Sequence, residues 1–157
     1  MHIHRFRIVL GLFIIGLVLS GVTAFPLLTE MNWLVHLLDL ANPQSLLGST
    51  PLATWILRVQ ESLAFNATTY PWLAYGTDWL AFGHLIIALF FIDPWLHPER
   101  SRPNLYVGIA ACILVIPLAF ICGAIRDIPL YWRVIACSFG VLGIIPLLYC
   151  LHLQARS

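Results

Sequence analysis

Three ionisable side chains lie inside long apolar runs of this sequence: Asp78, His84 and Arg133. A charged group at membrane depth costs about 2.5–3.5 kcal/mol on insertion scales, so each calls for a partner, a water-filled cavity or a ligand. Asp78 falls six residues after Trp72 and Arg133 five after Ile128. At 1.5 Å of helical rise per residue those are depths of about 9 Å and about 7–8 Å. An Asp78–Arg133 pair at matched depth would offset much of each group's desolvation. His84 is twelve residues from Trp72 and eleven from Trp95, about 18 Å from either end and so near a midplane. It shares a helical arc with Thr77, Ala81, Ala88 and, at the edge, Asp78. Converging from two helices, these groups would line a polar pocket that opens outward. His84 then has two roles open to it. One is a ligand contact or proton acceptor at the pocket floor. The other is a neutral histidine donating to a neighbouring helix, to Ser138 or to a carbonyl freed by Pro117.

Two further groups could carry chemistry. Arg126 and Asp127 sit at a turn between apolar runs and extend the candidate pocket set of Asp78, His84, Arg133 and Thr77. A plain capping role serves them equally well, with Arg126 meeting the last carbonyls of one helix and Asp127 capping the next ahead of Pro129. His4, His97, Glu99 and His152 all fall near inner helix ends. Three imidazoles and a carboxylate are a donor set for zinc or copper. No two have the i, i+4 spacing of helical ligands, so no metal is expected. A b-type haem needs two axial ligands at matched depth, and His84 is the only deep histidine, so no cofactor is expected either. A redox protein or enzyme using His84 as metal or haem ligand, or as acid/base, stands as the alternative to a ligand-binding accessory protein. Transport is a third reading, weakened by the absence of an internal repeat.

Known four-helix membrane enzymes do not fit. Quinone-linked disulfide-forming enzymes use a C-x-x-C, whereas Cys112, Cys122, Cys137 and Cys150 are unpaired in sequence and sit inside apolar runs. Packing is the expected role of such thiols, a disulfide the alternative. The asparagine- and glycine-rich motifs around the aspartate dyad of lipoprotein signal peptidases are missing around Asp78 and Asp127. Tyr75-Gly76-Thr77-Asp78 lacks the G-x-G-D of intramembrane aspartyl proteases. The segments Tyr70 to His84 and Arg126 to Arg133 resemble those of small four-helix bacterial inner-membrane proteins, a likeness that implies no chemistry.

The elements that must position these residues follow from composition. The 157 residues are 61% hydrophobic and 10% charged, with a mean hydropathy of +0.91. Soluble domains run at roughly 45–50% and 25%, so a water-soluble globule is excluded. Four stretches approach the roughly 20 apolar residues that cross a bilayer: residues 8–25, 72–95, 105–125 and 128–151. The first resembles a signal peptide, with Val22-Thr23-Ala24 as a cleavage-like site. Its apolar run of about 18 residues exceeds the usual 7–15, and it is read as a retained helix. Arg5, Arg7, Arg100, Arg102 and Arg156 fall on one side and Arg58, Arg126 and Arg133 on the other. The positive-inside bias then puts both termini in the cytoplasm of a bacterial inner membrane. A net charge of +1 with no basic stripe argues against nucleic acid.

Small residues at helical intervals mark expected packing faces: Gly16, Ser20 and Ala24; Ala74, Thr77, Ala81 and Ala88; Ala136, Gly140 and Gly143. Pro117 and Pro146 interrupt the third and fourth spans. Residues 26–71 form an outer segment with two short amphipathic helices. One, capped by Thr29, carries Asn32, His36 and Asp39 opposite Trp33, Leu34, Leu37 and Leu38. The other starts at Ser49-Thr50-Pro51 and carries Thr54, Arg58 and Glu61 opposite Trp55, Ile56, Val59 and Leu63. Asn66-Ala67-Thr68 matches a glycosylation sequon. The expected fold is all-α: an integral membrane four-transmembrane-helix bundle in a single domain, with two amphipathic helices between spans 1 and 2. Its expected partners are the lipid bilayer and other membrane subunits or a second copy.

Overall fold

The computed structural model describes residues 3–155, so Arg156, used in the charge reading above, lies outside the described residues. The chain is all-α: α1 (Ile3–Ala24), α2 (Leu27–Leu37), α3 (Pro51–Thr69), α4 (Ala74–Phe90), α5 (Ile92–Leu96), α6 (Arg102–Ile125) and α7 (Leu130–Ala155). Short 3-10 turns at Pro71–Leu73 and Pro98–Arg100 precede α4 and α6. Four stretches are long and apolar enough to cross a membrane: Ile3–Ala24, Pro71–Leu96, Arg102–Ile125 and Leu130–Ala155. The protein is a small multi-pass membrane protein, with α2 and α3 between its first two spans.

Prolines shape the spans unequally. The second span is divided after Phe90 because Pro94 has no N–H to bond the Phe90 carbonyl and its ring would crowd that group. By contrast, α6 and α7 run unbroken through Pro117 and Pro146, so these two do not divide their helices as the sequence suggested.

By its internal contacts the chain forms two units, with the divisions falling inside α1 and α4. The first unit comprises residues up to Leu17 and from Ile87 onward. Its core is Phe6 and Leu10 of α1, Phe91, Leu105 of α6, and Leu147, Cys150 and Leu153 of α7. Phe13 meets Phe91 edge to face at 5.1 Å. Helices α6 and α7 approach through glycines: a Cβ at Gly140 would stand 2.6 Å from the Cys112 carbonyl oxygen, and one at Gly108 3.0 Å from Leu147 Cδ1. Where neither helix gains by hiding from lipid, such close backbone contact supplies the association. Gly140 and Gly143 thus pack as their spacing indicates. At one end of this unit, Arg7 donates to the Leu96 carbonyl (3.0 Å) and the Trp95 indole to the Arg7 carbonyl (2.9 Å). The Gln154 amide donates to the Pro98 carbonyl and to Ser101 Oγ, tying the end of α7 to the start of α6. All four cysteines are free thiols.

The second unit is Val18–Ile86. Here the α1 contact residue is Gly21, since a Cβ there would lie 2.9 Å from the Ala81 carbonyl of α4. Gly16 has nothing within 4 Å and Ser20 is exposed, so the expected Gly16-Ser20-Ala24 face is not the packing face. Between α2 and α3, Val35, Leu40, Ala53 and Ile56 are buried, and the Gln60 amide donates to Asn32 Oδ1 at 2.8 Å.

Helix ends depart from expectation at two aspartates. Asp39 sits beyond α2 with φ 48°, and Asp127 beyond α6 with φ 53°. Each is the left-handed residue of a Schellman ending: Leu40 N–H donates to Val35 O and Asp39 N–H to His36 O, as Ile128 does to Gly123 and Asp127 to Ala124. Asp39 therefore terminates α2 instead of extending its polar stripe. Helix α2 opens at Pro26, whose carbonyl accepts from Glu30, so Thr29 is not its cap. Thr50 does cap α3, accepting from Ala53 N–H at 3.2 Å with Pro51 in the first turn. The turn between them needs Gly48, where a Cβ would run into the Asn42 carbonyl.

Adding a methyl where backbone blocks it strains the fold, and adding one in open space does not. Gly140→Ala should cost about 1–3 kcal/mol, whereas Gly16→Ala should be neutral or stabilising through helix propensity. Reversible unfolding in detergent micelles checks both.

Candidate functional site

The second unit contains a cavity of about 280 Å³. The α1–α2 junction, the far half of α3 and the first turns of the second span enclose it. Its apolar wall is built by Phe25, Leu28, Leu63 and Leu73, and its polar atoms come from Thr29, Asn66, Thr77 and Asp78. Local chemistry explains the placement. Pro71 opens the 3-10 turn that leads into α4, and Thr77 and Asp78 then occupy the next helical turn, both half-buried. On α3, Leu63, Asn66 and Ala67 stand at i, i+3 and i+4 and so share a face. Asn66 is thus a helical residue at the cavity wall, a different setting from the exposed loop a glycosylation sequon implies.

Sequence reasoning missed Asn66 and Thr29 as cavity residues. The signal for Asn66 was available: it is the polar residue that continues the Ile56-Val59-Leu63 apolar line.

Asp78 differs in kind from the other polar groups of the spans. Among the described residues of its own unit, no side-chain or backbone donor pairs with its carboxylate. His84, by contrast, is satisfied on its own helix. Its Nδ1 lies 2.8 Å from the Leu80 carbonyl, which can only accept, so Nδ1 is the donor. The bond expected to Ser138 or a carbonyl freed by Pro117 is instead made one turn back along α4, and Ser138 Oγ donates to Ile135 O at 2.6 Å. His84 lies at the Gly21 seam between α1 and α4, beyond the cavity-lining residues.

The remaining candidates belong to the first unit. Arg133 Nε donates to the Ile128 carbonyl at 2.6 Å, and its methylenes cover Gly123, where a Cβ would come within 2.8 Å of Cδ. Arg133 thus closes the turn joining α6 to α7. Asp127 ends α6, and α7 begins from the Pro129 carbonyl, which accepts from Trp132 and Arg133. The position of Asp127 is therefore a C-terminal one for α6, three residues before the start of α7. Arg126 is exposed in the same turn. Of the four inner-end groups, His97 pairs its Nδ1 with Asp93 Oδ1 at 2.9 Å. Among the described residues, His4, His97, Glu99 and His152 do not gather into a metal-ligand group.

No protein-family model, curated protein or solved structure matches this chain. What stands is a protein with four membrane-length apolar helices, whose chemistry must be read from its own residues.

If Asp127 serves the α6 ending, glycine should replace it without loss, because a left-handed residue with a Cβ costs roughly 1–2 kcal/mol. Asp127→Gly should leave unfolding stability equal or raised, and Asp127→Val should lower it by about 1 kcal/mol or more. Parallel unfolding curves in micelles separate the two.

Proposed function

We propose that this protein is a ligand-binding accessory protein of a bacterial inner membrane, taking a small amphiphile into the cavity of its second unit. The single observation that carries the reading is an apolar-walled cavity of about 280 Å³ with Asp78 and Thr77 at its edge. Ligand sites are concave, mostly apolar, and carry a few convergent polar groups, commonly within about 300–1,000 Å³. A volume just below that range suits a short-chain ligand or the head of a larger one.

Asp78 and Thr77 are assigned the ligand contact, with Asn66 and Thr29 beside them. The carbonyl bonds of His84 and Arg133, and the place of Arg126 and Asp127 in the α6–α7 turn, support structural duties for those four. The proposed topology has both termini cytoplasmic and the cavity facing outward. Its support is the arginine distribution and the exposure of Trp33 (75%), Leu37 (82%) and Leu46 (95%), an apolar surface suited to lying in a lipid interface.

Hexanol is a suitable first probe, being neutral, short and amphiphilic. It should raise the thermal midpoint of the purified full-length protein saturably, approaching the roughly 2.7 kcal/mol expected when free ligand stands at about 100 times Kd. Ala67→Trp fills the cavity and should abolish the saturable part of the response. Equal responses in both proteins would count against the cavity.

A further inference from the structure

Hydrogen-bond polarity narrows the ligand class. Donors placed among apolar helices return to backbone carbonyls: His84 to Leu80, Arg133 to Ile128, Ser138 to Ile135, Thr68 to Ala64 and Phe65. This solution is open to them because a helix carbonyl has a second lone pair. An ionised carboxylate has no such recourse, since it only accepts and helix-interior N–H groups are already bonded. Asp78 lies inside the second helical turn of its span, past the unbonded N–H groups of the first. Asp78 is also one of the residues lining the cavity.

Resting on the binding function proposed above, we infer that the cavity takes a primary alkylammonium group, with its N–H bonds donated to the Asp78 carboxylate and its alkyl part along Phe25, Leu63 and Leu73. Three features of the lining favour this class. It carries one negative charge and no positive one, which attracts a cation and repels a carboxylate or phosphate. A primary ammonium has three donors, and Asp78, Thr77 and Asn66 among the lining residues each carry a side-chain oxygen able to accept. Charge-assisted bonds of this kind are about twice as strong as neutral ones, and in apolar surroundings they offset the burial of both charges. The same chemistry is offered by a free alkylamine and by the ethanolamine head of a membrane lipid.

The test uses the full-length protein and four probes of equal chain length: hexylammonium, hexyltrimethylammonium, hexanol and hexanoate. Hexylammonium should bind about ten-fold or more tighter than hexanol, read as the concentration giving half the saturable shift in thermal midpoint. Hexanoate should show no saturable shift. Asp78→Asn should remove the hexylammonium advantage over hexanol, and the probe series on the unaltered protein gives the answer even where that variant fails to fold. Equal affinity for hexylammonium and hexanol overturns the ammonium assignment while leaving the cavity as a neutral site. Equal affinity for hexyltrimethylammonium overturns N–H donation. Failure of all four probes overturns the binding function itself. Vesicles separate the two sources: weaker apparent hexylammonium binding in phosphatidylethanolamine than in phosphatidylglycerol vesicles identifies the lipid head, and equal binding identifies a free amine.

Discussion

Among apolar helices no water is at hand to satisfy a polar group, and a hydrogen bond left unmade there costs more than one made in water repays. Much of this molecule follows from that constraint. The Ser138 hydroxyl, the His84 imidazole and the Arg133 guanidinium are donors, and each bonds to a carbonyl on its own helix or the adjoining turn. Even the thiol of Cys150 leans toward the Phe6 carbonyl. The apolar composition is therefore compatible with a scatter of polar residues, provided they donate. Asp78 is the residue for which the arrangement fails, and the cavity lies where it fails.

The same constraint governs how the helices end. Schellman endings after α2 and α6 return otherwise unbonded carbonyls to N–H donors within the turn, at the expense of a left-handed aspartate in each. At the α6–α7 turn Arg133 adds a bond to the Ile128 carbonyl and lays its methylenes over Gly123. Glycines farther along, at 108 and 140, bring the backbones of this hairpin close. Turn and seam together hold α6 against α7 with little reliance on buried charge.

The candidate site is legible in sequence only in part. Asp78 and Thr77 stand out because an ionisable residue in an apolar run has few innocent explanations. Asn66 and Thr29 do not, since they lie in a segment where polar residues are ordinary and a sequon or a cap explains them equally well. His84 and Arg133 attract attention for the same reason as Asp78. Their satisfaction depends on side-chain rotamers and on the i−4 and i−5 carbonyls, which no spacing reveals.

Composition and apolar run length alone determine that the chain is helical and multi-pass, because lipid admits spans only where every backbone group is bonded internally. The Thr50-Pro51 start of α3 is equally local, a side-chain oxygen and a ring acting within one turn. Three-dimensional packing decides which arc of a helix meets its neighbour. Gly21, and not the equally small Gly16 or Ser20, is buried against α4, because small residues permit close approach without choosing the partner. Packing likewise decides that Asp78 faces an open volume while its neighbours find carbonyls, since a cavity is the space several elements jointly leave unfilled and is encoded in none of them separately.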